Sequence, residues 1–344
     1  SEGTTSGQYR AAFRAAYSKR GTTEMLMGTR VRYNGNWWTD NAFGGHNYLF
    51  VSEWNANGGY TPTEEFMEMF DWKDGKPFNL DETLKGDPDT MFVNPNKDFE
   101  LTRDPRLYET MIVNGVQKTM NDNGNYSGRR YENWVEGTDG GKGAGASESG
   151  QFATGLANNK FYFNGETNRV HVWPYVRLAE VYLIYAEALA QNNQLDKAIE
   201  NVNLIRARVG LKGLKESDSS KNWGDKQTVL DAIMKERAVE LGFEETRFFD
   251  LIRYRRSDIF QKQLHGLRMY RQKDGKDYNF QWYGKKEKED GYEKDFPTHY
   301  RYEKFEIQNV RRSWWSNWDN KWFLSAFPPT EINKNYGLTQ NPGW

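Results

Sequence analysis

The chain has 344 residues, with 47 Lys plus Arg against 48 Asp plus Glu and a formal net charge of -1. That length supports a substantial core without a metal or disulfide staple, and the charge balance offers no field that would draw nucleic acid or acidic lipid. The absence of cysteine excludes disulfides, thiolate metal sites, a cysteine nucleophile and a lipid-modified cysteine within these residues.

Aromatic content stands out, with 13 Trp, 20 Tyr and 20 Phe making 15% of residues. Mean hydropathy is only -0.95, so rings are expected in polar, glycine-rich loops as well as in the core. Exposed rings suit ligands with C–H-rich, hydroxylated surfaces, because each offers a large apolar area at low entropic cost. No run reaches the roughly 18 apolar residues that span a bilayer, and no basic-then-apolar leader is present. Ser1 in place of an initiator Met marks the start as an expected processing boundary.

Residues 1–33 open on Ser, Gly and Thr, carry a short helical pattern around Tyr9 to Tyr17, and then an extended segment at Glu24 to Gly28. Residues 33–60 scatter Tyr33, Trp37, Trp38, Tyr48, Trp54 and Tyr60 among Gly and Asn with no helical or strand period, which predicts loop. A helix is predicted after Pro62, capped by Thr63, with Phe66, Met69 and Phe70 on one face and a stop at Asp74-Gly75. Residues 75–170 are irregular, and Gly137 to Gly150 has a loop composition.

The clearest periodicity follows. Leu178, Val181, Tyr182, Tyr185, Ala186 and Leu189 recur at helical spacing; after Gln191-Asn192-Asn193 come Leu195, Ala198, Ile199, Val202 and Ile205. Two antiparallel helices are predicted, with small Ala186, Ala190 and Ala198 allowing close approach and Gly210 ending the second. The pair reads as one tetratricopeptide-like unit. Residues 227–256 predict a further helical pair or bent helix broken at Gly242, and 262–324 a long irregular insertion dense in Lys, Tyr and Trp.

Several strings then occur in a telling order. Thr61-Pro62-Thr63-Glu64-Glu65-Phe66 leads to Met69-Phe70-Asp71-Trp72-Lys73-Asp74-Gly75-Lys76-Pro77-Phe78 and to Arg103-Asp104-Pro105-Arg106-Leu107. Arg177-Leu178-Ala179-Glu180-Val181-Tyr182, Asn203-Leu204-Ile205-Arg206-Ala207-Arg208-Val209-Gly210-Leu211, Glu236-Arg237-Ala238-Val239-Glu240 and Arg247-Phe248-Phe249-Asp250-Leu251 follow. Phe327-Pro328-Pro329-Thr330-Glu331-Ile332-Asn333 and Gln340-Asn341-Pro342-Gly343-Trp344 close the chain. Each string alone is weak, but the ordered set over nearly the whole chain resembles the SusD/RagB family.

The resemblance implies a mainly α fold of tetratricopeptide-like hairpins packed on a large irregular, loop-rich region. Residues 1–170 are expected to be the ligand-binding region, 171–260 the hairpins and 261–344 a loop-rich insertion with the closing segment, all in one integrated domain. It also implies a surface-exposed outer-membrane lipoprotein that captures oligosaccharide or polysaccharide and delivers it to a SusC-like TonB-dependent transporter, without catalysis and without a cofactor. Family members usually carry a signal peptide, a lipidated cysteine and further N-terminal hairpins; none is present, so anchoring and part of the binding site are expected either to come from a segment missing here or to be absent. RagB-like relatives leave a peptide- or protein-binding importer subunit as an alternative, and a glycoside hydrolase with a Trp-lined cleft as a weaker one.

Trp37 and Trp38 beside Asn36 and Asp40, with Tyr48 and Trp54 in the same loop, pair stacking rings with short hydrogen-bonding side chains, as a sugar platform requires. Loop packing remains the competing reading. Tyr126, Arg129, Arg130, Tyr131 and Trp134 form a second expected surface, and Trp314, Trp315, Trp318 and Trp322 a third, for which packing is the better reading. Glu236, Arg237, Glu240, Arg247, Asp250 and Arg253 read as a structural ion-pair network, because arginine does not act as a base near neutral pH. Glycosidase chemistry needs two carboxylates about 5 to 10 Å apart across the sugar bond, and 48 acidic residues supply such pairs by chance. His46, His171, His265 and His299 have no ligand at short spacing, which predicts no zinc site, and Asp71 to Gly75 lacks the remaining ligands of a calcium loop.

Overall fold

The computed structural model describes residues 4–31, 61–140, 153–161, 171–308 and 314–344. Helix α1 (Ser6–Ser18) and strand β1 (Met25–Val31) are followed by α2 (Glu64–Glu68), α3 (Pro105–Thr110) and the hairpin β2 (Gln117–Met120) and β3 (Tyr126–Arg130). Strand β4 (His171–Arg177) runs straight into α4 (Leu178–Gln191). Helices α5 (Leu195–Arg208), α6 (Lys226–Glu240) and α7 (Arg247–Arg253) precede a second hairpin, β5 (His265–Lys273) and β6 (Tyr300–Glu306).

Local chemistry starts α1 cleanly. Thr5 Oγ1 accepts from the Gln8 backbone N–H at 3.2 Å while Gln8 Oε1 accepts from that of Thr5 at 2.8 Å, a reciprocal capping box. The buried side of α1 carries Phe13 and Tyr17 together with Arg10 and Arg14. Those two arginines close on Glu109 of α3, with Arg14 Nε donating to Oε2 at 2.8 Å and the Tyr17 hydroxyl donating to the same oxygen at 3.0 Å. A charged cluster thus clamps α1 to α3. Strand β1 pairs antiparallel with β4, Thr29 opposite Trp173.

The expected helical hairpin is present. Asn193 turns the chain in a left-handed conformation, φ 59°, and the Gln194 N–H bonds back to Leu189 at 2.9 Å. Ala186, Ala190 and Ala198 are all fully buried and let α4 and α5 approach closely. Leu183, Val202 and Ile205 join Val229 and Ile233 of α6 in the same apolar cluster, so the third helix completes the unit. Gly210 ends α5 at φ +78°, where a Cβ would lie 2.4 Å from the Tyr9 ring. Only glycine satisfies both the conformation and the contact.

Two expectations are corrected. The helix after Pro62 is capped by Thr63 as predicted, but it stops at Glu68 rather than near Asp74, because the N–H groups of Met69 and Phe70 tighten back onto Phe66 and Met67. The stretch 262–324 is not uniformly irregular: β5 and β6 pair in register from Tyr300 opposite Arg271 to Glu306 opposite His265. Leu267, Met269, Tyr300 and Tyr302 from this hairpin pack with Met67, Phe70, Leu107 and Trp134 in the largest core.

Between the helices and the irregular region lies a buried ionic network. Arg106 bonds Asp104, Glu236 and Glu240; Arg177 bonds Glu240 and Glu244; Arg206 bonds Asp71 and Glu236. Lys160 is fully buried with its ammonium on Glu244 and on the backbone carbonyls of Glu240 and Gly242. These groups order helix packing, as expected from the sequence, and Arg237 joins Asp250 at 2.7 Å. Arg247 differs, donating to the Met234 carbonyl at 3.2 Å.

Candidate ligand-binding cleft

A cleft of about 920 Å³ opens between the start of α1, the β2–β3 hairpin, the segment 98–101 and the end of α5. Its walls depend on close backbone approach. A Cβ on Gly7 would fall 2.1 Å from the Gly124 carbonyl oxygen, and Gly124 itself has φ +82°, so two glycines let α1 press on the hairpin turn. Asn121 Oδ1 accepts from the N–H groups of Asn123 and Asn125 at 3.0 Å each, fixing the turn that presents Asn125 and Tyr126.

On the opposite wall Asp98 and Phe99 are both left-handed, with φ 48° and 56°. Two such residues in succession are strained, and the Phe99 ring is held edge-on to Phe296 with centroids 5.6 Å apart. The Arg130 guanidinium lies over the Phe99 ring at 4.0 Å, and its Nη1 donates to the Gly115 carbonyl at 2.9 Å. Burial pulls the Arg130 pKa down, opposed by the neighbouring Asp98. The result is a partly dehydrated cation beside an aromatic face, able to donate to hydroxyl, carboxylate or amide oxygens. Glu100, also in the wall, is occupied by Lys73 at 2.5 Å.

Nine residues were expected to bind ligand, and of the three that are described Arg130 alone lines this cleft. Asn36, Trp37, Trp38, Asp40, Tyr48 and Trp54 lie outside the described residues. Tyr131 and Trp134, expected on a surface, are core instead. Trp134 packs against Tyr300 and Phe296, with its Nε1–H donated to the Phe280 carbonyl at 3.0 Å, and Tyr131 belongs to the cluster around Phe13, Tyr17 and Phe161. Arg129 is a structural cation, gripping Asp139 through two 2.6 Å bonds. Trp318 stacks on Phe260 at 4.1 Å and meets Trp322 edge-on, which is packing. Tyr9, Phe99 and Asn125 were not anticipated in the cleft; the Asn123-Gly124 pair was the available signal, since such a dipeptide marks a hairpin turn.

No curated protein matches the chain. Among solved structures, a SusD-like protein from Bacteroides fragilis NCTC 9343 matches with a TM-score of 0.65 and 21% identity, covering 99% of this chain and 58% of its own. The protein BT4246 matches with a TM-score of 0.63 and 22% identity, covering 98% of this chain and 53% of its own. The chain therefore spans a little over half the length of these two proteins, and at such identities the likeness is one of fold. The model of the SusD family matches residues 23–344. That match takes in the capped helix α2, the α4–α5 hairpin, the buried arginine network and the closing segment, and this chain belongs to the SusD family.

Proposed function

We propose that this chain is part of a surface-exposed outer-membrane glycan-binding protein, which holds an oligosaccharide without breaking a bond and passes it to a SusC-like TonB-dependent transporter. Its hold on the membrane is a lipid anchor carried outside these residues; among the described residues no helix is long and apolar enough to cross a bilayer. The observation that carries the reading is the cleft in which Arg130 and Phe99 pair beside Tyr126, Asn125 and Gln117. Ring faces cover the C–H surface of a sugar, and the amides and guanidinium meet its hydroxyls.

Magnitudes agree with a capture protein. A ring burying on the order of 70 Å² against a sugar contributes roughly 1.5 to 2 kcal/mol. Two rings and a few hydrogen bonds, less the entropy of association, give about millimolar to micromolar affinity. Weak binding suits cargo that must be released. The acidic residues gathered by α6 are engaged by arginines and Lys160, which favours binding over general acid–base chemistry.

Calorimetry against an oligosaccharide panel tests the proposal. Saturable binding with no reducing ends released supports it. Reducing-sugar release assigns a hydrolase instead, and retention of peptides but not oligosaccharides assigns a peptide importer.

A further inference from the structure

Helix α2 places Glu64 and Glu65 next to the first residue of β5, His265, 200 residues further along the chain. One carboxylate oxygen of each glutamate and a ring nitrogen of His265 lie within 4.8 Å of one another. His265 Nδ1 stands 2.5 Å from Glu65 Oε1, and the His265 backbone N–H donates to Glu65 Oε2 at 3.2 Å. Strand β5 thus orients the Glu65 carboxylate from its own backbone.

Glu64 is the unusual member. It is fully buried, and its Oε1 has no hydrogen-bond partner among the described residues. Its counter-charge is Lys304 of β6, with Nζ 2.5 Å from Oε2. That contact leaves Oε1 bare. Burying a carboxylate oxygen with nothing to bind is costly. The Lys304 side chain is 36% exposed, so its ammonium has a route to water if something else takes its place.

We propose that Glu64, Glu65 and His265 bind one divalent cation of the zinc class, and that Lys304 is the counter-ion it displaces. Two carboxylate oxygens and one imidazole nitrogen are the donor set of Zn²⁺ rather than the all-oxygen shell of Ca²⁺. Ligands at tetrahedral zinc distances stand about 3.3 Å apart, and the three atoms, already within 4.8 Å of one another, close on an ion between them by side-chain adjustment. Once Lys304 withdraws, the two carboxylates face a dication with no competing cation. The fourth position stays open to water. Such an ion would tie the segment entering α2 to the β5–β6 hairpin.

The test is titration of chelator-stripped, full-length protein with Zn²⁺, followed by calorimetry and thermal melting. The site predicts one Zn²⁺ per chain, at least tenfold weaker binding in Glu64→Gln and in His265→Gln, and tighter binding in Lys304→Met, which lacks the competing ammonium. Tm rises with Zn²⁺ in the wild type and not in His265→Gln. His265 is only partly buried, so that variant carries the test if Glu64→Gln does not fold. Absence of Zn²⁺ binding, binding indifferent to both substitutions, or a preference for Ca²⁺ over Zn²⁺ at the same side chains overturns the proposal.

Discussion

Arg106 and Glu240 are 134 residues apart in sequence and 3.1 Å apart in a site closed to water. Glu240 also accepts from Arg177 at 2.9 Å and from Arg208 at 2.5 Å, so one carboxylate holds α3, β4, α5 and α6 together. Glu240→Ala leaves buried guanidiniums without a counter-charge, and a loss of about 3–5 kcal/mol is expected. Chemical denaturation of the variant measures it.

The same cluster sets the acid limit of stability. Burial would push the Glu240 carboxyl up, but Arg208, Arg177 and Arg106 overcome it and hold it well below 4.5. Glu109, between Arg10 and Arg14, and Glu244, between Arg177 and Lys160, are lowered in the same way. A depressed folded pKa contributes stability that is complete above the unfolded value of 4.5 and lost as pH falls through the folded value. Unfolding free energy should therefore hold steady down to about pH 5 and fall below it. Glu240→Gln should flatten that acid limb.

Trp134 and Arg130 are four residues apart and should respond in opposite ways. Trp134→Ala empties a fully buried site and is expected to cost about 3–5 kcal/mol of stability. Arg130→Ala removes a half-buried cation from the cleft wall. It should weaken oligosaccharide binding by roughly fivefold, about 1 kcal/mol, with little change in Tm. Parallel melting and binding curves separate the two.

Gly210 gives a backbone test. Alanine there would combine positive φ with a Cβ 2.4 Å from the Tyr9 ring, at a cost of order 1–3 kcal/mol. Because Tyr9 lines the cleft, ligand affinity should fall with stability.

The helical hairpin was legible because Ala186, Leu189, Val202 and Ile205 keep helical spacing and share one core, although Val181 and Tyr185, read on the same stripe, are exposed and Leu183 is the buried residue instead. Strand β5 was hidden because Arg271 is fully buried at an inward position, bonded to the carbonyls of Phe280 and Gly291. A charge where the alternation demanded an apolar residue made the segment read as loop. Tyr131 and Trp134 were misplaced for a related reason: Arg129 and Arg130 beside them suggested a wet surface, while the hairpin turned their rings inward. Tyr126 and Arg130 were read on one surface, but the cleft they line was not, since Tyr9 and Phe99 reach it from other elements. The meeting of Glu64 and Glu65 with His265 depends on 200 residues of intervening chain, which no short spacing encodes.

The most direct test of glycan capture is calorimetry of full-length wild type and the Trp37→Ala, Trp38→Ala double variant against the same oligosaccharide. Glycan capture on the Trp37–Trp38 loop predicts weak, saturable binding to the wild type and a loss of at least roughly tenfold, ~1.4 kcal/mol, in the variant, with the fold intact. Equal affinity in both would remove that loop as the platform, and an absence of binding to every oligosaccharide offered would contradict glycan capture itself.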